Sequence, residues 1–340
     1  MKSMVILFLI VAVFMTAASC EQPKSRPELK GDYLGQTPPG DSPEVFAPGI
    51  ICTDMYERDV AMTPDGNEMY FGLVLGNHSY STIIMSQQKD GKWTQPEVAP
   101  FCKDPKIQNL EPHISPDGKK FFFVSNRPLT DADEEKENWD IWIMDRKEDG
   151  WGEPYNPGSP VNTEKGEYFP SVTQDGTLYF TREEPGGLNG IYHSKWVDGS
   201  YAEPERLPEQ INCGQTRYNA FVSPDESFII VPAYMKESSY GGTDYYIVFK
   251  NEMNQWSQPI NMEEKINSSS GFEWSAYVSP DSKYLFFMSV REENKDSFES
   301  SPLTIARLQK RQQSPQNGNP NIYWISASII ESLRQKSVFE

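Results

Sequence analysis

The sequence predicts an all-β fold, a β-propeller of four-stranded antiparallel blades, on three observations. A turn centred on Asp and followed by an apolar run recurs five times: TPDGNEMYFG from Thr63, SPDGKKFFFVSN from Ser115, TQDGTLYFT from Thr173, SPDESFIIV from Ser223 and SPDSKYLFFMS from Ser279. The turn residues Asp65, Asp117, Asp175, Asp225 and Asp281 lie 52, 58, 50 and 56 residues apart, a little above the roughly 40–50 residues of a propeller blade. Within each period the strand and turn signals come in one order.

At the N-terminus, Lys2 precedes an apolar run over 4–15, MVILFLIVAVFM, which is shorter than the roughly 18–20 residues that span a bilayer. It reads as a signal peptide over 1–19. Ala17, Ala18 and Ser19 directly before Cys20 resemble a bacterial lipobox, which implies a lipidated Cys20; ordinary secretion with cleavage nearby is the alternative. Residues 20–40 are polar and Pro-rich without periodicity and read as a flexible tether. The propeller is expected over 41–326 and a helix and tail over 327–340, from the apolar spacing in SASIIESLRQ.

Each blade begins with a strand such as EYFPSVT (167–173), turns at the Asp, and returns in a second strand such as TLYFT (177–181). Pro presets φ, Asp caps the backbone two residues on, and Gly accepts positive φ, so the turn letters have a structural cause. A third strand follows a variable loop: STIIMS (81–86), DIWIMD (140–145), GIYHSK (190–195), DYYIVF (244–249) and NIYWIS (321–326). An aromatic turn such as DGKWTQP (90–96) then leads to a short fourth strand. The fifth unit lacks that strand, whereas SPEVFAP (42–48) mimics QPEVAPF (95–101). The N-terminal strand is therefore expected to complete the last blade and close the ring.

These motifs, with SNRP (125–128) and DIW (140–142), resemble the WD40-like β-propeller repeat. With the lipobox, residues 41–335 are similar to TolB-like propeller lipoproteins of Gram-negative envelopes. The resemblance implies a propeller and a cell-envelope location, lipid-anchored to a membrane and facing the periplasm or the cell surface. Propellers of that family usually carry six blades. The repeat count here gives five and leaves six open.

Thirty-one basic against 49 acidic residues give a formal charge of −18. That balance argues against nucleic-acid partners and against electrostatic attachment to anionic lipid. The first and third connections of each blade are tight turns on one face, and the second connections and crossovers vary, so function is expected on the variable face. Residues eight and six positions before the turn Asp begin the innermost strands there: Glu57 and Asp59, Asn109 and Glu111, Glu167, Arg217 and Asn219, Glu273 and Ser275. Carboxylates around the channel mouth with one Arg would suit a hard cation such as Ca²⁺ or a cationic ligand; alternatively they cap backbone N–H groups. Arg127 and Arg291, each ten residues past a turn Asp, read as partners of a neighbouring blade's carboxylate, with contact to a ligand as the alternative.

Cys52, Cys102 and Cys213 fall in crossovers, and an oxidising compartment permits a Cys52–Cys102 bridge between blades. No GxSxG elbow occurs, and His78, His113 and His193 are scattered. Two readings of function follow. The first is a non-catalytic, envelope-anchored propeller binding a protein, peptide or glycan on its variable face. The alternative is a carbohydrate-active hydrolase or lyase with Glu111 and Glu167 as its carboxylate pair.

Overall fold

The structure, a computed structural model, describes residues 29–76, 78–130, 138–234, 239–269, 272–291 and 302–339. The signal peptide and Cys20 lie outside the described residues. Five small antiparallel sheets form a ring, so the blade number is five. Blade 1 runs Tyr56–Met62, Glu68–Leu75, Tyr80–Lys89 and Glu97–Val98. Blades 2 to 4 repeat that order, and their third strands, Asp140–Lys147, Leu188–Ser194 and Asp244–Phe249, fall where the sequence predicts them.

Blade 5 is completed from the other end of the chain. Glu44 and Val45 pair antiparallel with Trp324 and Tyr323 of Asn321–Ser326, and the Phe46 N–H donates to the Ile322 carbonyl at 2.9 Å. Phe46 then drives its ring edge-on against Phe286 and Trp324, at 5.1 and 5.2 Å between centroids. The closure expected from the missing strand is present, and it has a hydrophobic anchor as well as a ladder.

The turn chemistry also repeats as the letters imply. Asp65 Oδ1 accepts from the Asn67 N–H at 3.0 Å and from Thr63 Oγ1 at 2.6 Å, and Asp117, Asp175 and Asp281 do the same for their own turns. The next residue takes left-handed backbone, with φ of 70° at Gly66 and 71° at Gly118. Glu226 and Ser282 hold that conformation in blades 4 and 5 without the freedom of Gly.

The tether reading needs correction over residues 29–40. Leu29 and Leu34 are buried in the core shared by blades 1 and 5. The Leu29 carbonyl accepts from the Trp93 N–H at 2.9 Å, the Gly31 carbonyl from Trp93 Nε1 at 2.8 Å, and Tyr33 Oη donates to the turn residue Asp281 at 2.8 Å. Polar composition hid two well-placed leucines. This segment therefore lies on the turn face, across the seam where the ring closes.

The C-terminal helix, Ser328–Arg334, buries Ile330 and Leu333, as the apolar spacing predicts. A second helix, Ile305–Gln312, stands in the long second connection of blade 5. No helix of the described residues is long and apolar enough to cross a membrane.

Candidate functional site at the channel mouth

The innermost strands run from the variable face toward the turn face, and a bulge interrupts them near their start. Asp59, Glu111, Phe169 and Asn219, all six positions before a turn Asp, have φ between 48° and 56°. Pairing with the second strand slips at that point in blades 1, 2 and 3. A bulge re-aims the side chains on either side of it, and it sorts the predicted site residues into two groups.

The first group is bonded to the crossovers and strands beside it. Glu57 Oε1 accepts from the Thr53 N–H at 3.1 Å and from Thr53 Oγ1, while its Oε2 accepts from Asn321 at 3.1 Å. Glu167 accepts from Thr163 N–H and Oγ1 and from Arg182 Nε at 2.9 Å. Glu273 accepts from Ser268 N–H and Oγ and from Ser289 Oγ. Arg217 donates to Asn212 and to the Gly214 and Gln215 carbonyls. Each holds the crossover that leads into its strand, so Glu57, Glu167 and Glu273 are engaged separately and not as a ring. Burial pushes Glu57 and Glu273 up to about 7 against the pull of those hydrogen bonds.

The second group meets at the centre. Arg58 donates to Asp59 Oδ1 and to Glu111 Oε1, both at 2.8 Å. Glu111 also accepts from the Phe169 N–H at 2.7 Å and from Asn219 Nδ2 at 3.2 Å, and Ser275 Oγ accepts from the Asp59 N–H at 3.3 Å. Blades 1 to 5 are thus joined through one buried network around Glu111 and Arg58. No group of three or more His, Cys, Asp or Glu among the described residues stands where it could hold a metal ion. Glu111 and Glu167, the carboxylates suited to sugar chemistry, are both engaged as acceptors by several donors.

Aromatic rings from blades 1, 4 and 5 stand in a chain of contacts at the mouth. Tyr56 meets His78 edge-on at 5.4 Å, His78 approaches Trp274 at 6.1 Å, and Trp274 meets Tyr218 at 6.3 Å and Phe272 at 5.7 Å. His78 and Phe272 are exposed and Tyr56, Tyr218 and Trp274 are half-buried. Their positions come from two sources: Tyr56, Tyr218 and Trp274 stand beside the predicted site residues on the innermost strands, whereas His78 and Phe272 are brought in by loops. The neighbouring variable loops add exposed apolar side chains from every blade: Leu75, Leu129, Leu188, Tyr240 and Leu303. On the turn face the exposed Trp196, Val197 and Met253 stand on outer hairpins instead.

The Cys52–Cys102 bridge that an oxidising compartment would permit is absent; all three described cysteines are buried free thiols. Cys52 has another task, exchanging 3.3 Å hydrogen bonds with the Ile322 N–H and carbonyl at the start of a third strand. Asn162 does this with Ile141, Asn212 with Ile191 and Asn267 with Tyr245. Cys52 lies in the core shared by blades 1 and 5 and Cys102 in the core between blades 1 and 2, so the two thiols face different strands. Arg127 reaches the Phe101 carbonyl, and Arg291 the Lys265 and Ile266 carbonyls, so both bond to crossover backbone rather than to a neighbouring blade's carboxylate.

No protein-family model and no curated protein matches the chain. Among solved structures it is similar to TolB from Acinetobacter baumannii, at 16% identity and a TM-score of 0.45, over 80% of this chain and 57% of that one. It is also similar to an N-acetylgalactosamine deacetylase from F. plautii, at 10% identity and a TM-score of 0.49, over 92% of this chain and 100% of that one. An alpha-L-arabinofuranosidase from Lactobacillus brevis is similar at 11% identity and a TM-score of 0.48, over 82% and 92%.

Proposed function

We propose that the chain is a non-catalytic, envelope-anchored propeller that binds a protein or peptide at the mouth of its variable face. The observation that carries the reading is the aromatic group Tyr56, His78, Tyr218, Phe272 and Trp274 around the channel, ringed by exposed apolar side chains. Tyr, Trp and Phe are enriched at the centres of protein interfaces, where a few aromatic anchors carry most of the binding energy. The commitment of Glu111 and Glu167 to structural hydrogen bonds favours binding over acid–base catalysis, because a general acid or base needs a proton site open to substrate.

The route of the N-terminal segment supports an orientation. Leu29 and Tyr33 lie on the turn face, and the nine residues back to Cys20 reach at most about 30 Å when extended. A lipid on Cys20 holds the turn face toward the membrane and presents the variable face outward. Cys20→Ser is expected to move the protein from the membrane to the soluble fraction with loss of acyl labelling. Unchanged fractionation contradicts the anchor. For the ligand, the protein lacking residues 1–20 is screened on peptide and glycan arrays beside its Phe272→Ala, Trp274→Ala variant. Peptide binding without turnover that is lost in the variant supports the reading. Sugar release, or glycan binding alone, overturns it.

A further inference from the structure

At the turn face the central channel widens into a cavity of 710 Å³. The residue three positions before each turn Asp lines it: Met62, Ile114, Val172, Val222 and Val278. Phe221 and Tyr277, one position earlier, extend the apolar wall. The C-terminal helix covers part of the opening with Ala327 and Ile330. Arg334 latches that helix down: its Nε lies 3.2 Å from Glu331, its Nη1 donates to the Ser227 carbonyl, and its guanidinium sits 4.5 Å over the Phe249 ring.

Serines and Gln174 share the rim of the cavity, and one polar ring in the lining is buried. His113 is 7% exposed, and its Nε2 accepts from the Val172 N–H at 2.9 Å. The neutral ring therefore carries its proton on Nδ1, and that N–H has no hydrogen-bond partner among the described residues. Burial pushes the imidazole down to about 4, so it is a neutral donor across the physiological range. The charged groups along the cavity are already committed: Arg334 to Glu331, and Asp225 to the Ser227 N–H. They leave no free cation for an anionic headgroup.

A cleft of roughly 300–1,000 Å³ with an apolar wall and a few fixed polar groups is the usual form of a small-molecule site. We propose that this cavity binds a neutral lipophilic compound with one hydrogen-bond acceptor, an amide or ester carbonyl on an aliphatic chain. Its carbonyl accepts from His113 Nδ1–H, and its chain lies along Val172, Val222 and Val278. The Nδ1–H is a donor that its ring's other nitrogen holds in place, and it is available to a ligand acceptor in the cavity; the apolar wall recognises the chain. The site is independent of the aromatic mouth on the opposite face.

The test is calorimetric titration of the full chain with decanamide and, separately, with decanoate. The expected result is saturable one-to-one binding of decanamide, at least tenfold tighter than decanoate. Val278→Trp, which fills the cavity from a half-buried position, is expected to weaken binding at least tenfold at unchanged far-UV circular dichroism. In the parent protein, decanamide is expected to shift the ¹⁵N resonance of His113 Nδ1, a readout that needs no variant to fold. Absence of saturable binding, equal affinity for decanoate, unchanged affinity in Val278→Trp, or an unmoved Nδ1 resonance each overturns the proposal.

Discussion

At the scale of single residues, the carboxylates at the starts of the innermost strands are structural acids in unusual surroundings. Glu273 is fully buried, its Oε2 meets no donor, and burial raises its carboxyl to about 7 while Ser268 and Ser289 pull the other way. An unfolded chain releases this proton near 4.3. Between about 4.3 and 7 the folded state holds a proton that the unfolded state has lost, so this group's contribution to stability falls as pH rises through that window and is level above it. Glu273→Gln, neutral throughout, is expected to match the parent near pH 4 and to exceed it by on the order of 3–4 kcal/mol at pH 8. Urea unfolding at the two pH values checks this, and parallel curves contradict it. That Glu57, Glu167 and Glu273 share one register was legible in the sequence, whereas their direction was not. Alternation along a strand fails at a left-handed residue, and nothing in Asp59, Glu111 or Phe169 announces one. The clamp has a readable signal in the sequence: Cys52, Asn162, Asn212 and Asn267 all stand in crossovers, and three of them precede a Thr or Ser.

At the scale of elements, the ring depends on a seam of two residues. Glu44 and Val45 supply a short ladder, so much of the closure energy comes from Phe46, 1% exposed between Phe286 and Trp324. Phe46→Ala is expected to cost about 3–5 kcal/mol, the range for emptying a buried aromatic site. It should also raise hydrogen exchange first in Asn321–Ser326, whose outer edge the N-terminal strand covers. A loss below about 1 kcal/mol, or exchange that rises equally in all blades, contradicts the seam. The five blades, their order and the closing strand were all legible, because turn chemistry and third-strand composition are local properties. The docking of residues 29–36 was not, since it depends on Trp93 and Asp281, which are distant in the chain and adjacent only once the ring has closed.

At the scale of the whole molecule, Arg58 and Glu111 join the blades at the centre, and the two faces of the ring have separate characters. Buried ion pairs are weak contributors to net stability, but breaking one strands the partner charges. Arg58→Met leaves Asp59 and Glu111 buried without a cation and is expected to cost about 3–5 kcal/mol; full stability in denaturant contradicts the hub. The turn face carries the N-terminal segment, the C-terminal helix and the cavity, while the variable face carries the aromatic mouth. The most direct test of the account is a hydrogen-exchange footprint of an array-selected peptide on the full chain. Protection is expected at 72–76, 217–219 and 272–275, around His78, Tyr218 and Trp274. Protection confined to the Asp turns at 63–67, 115–119 and 223–227 contradicts binding at the variable face.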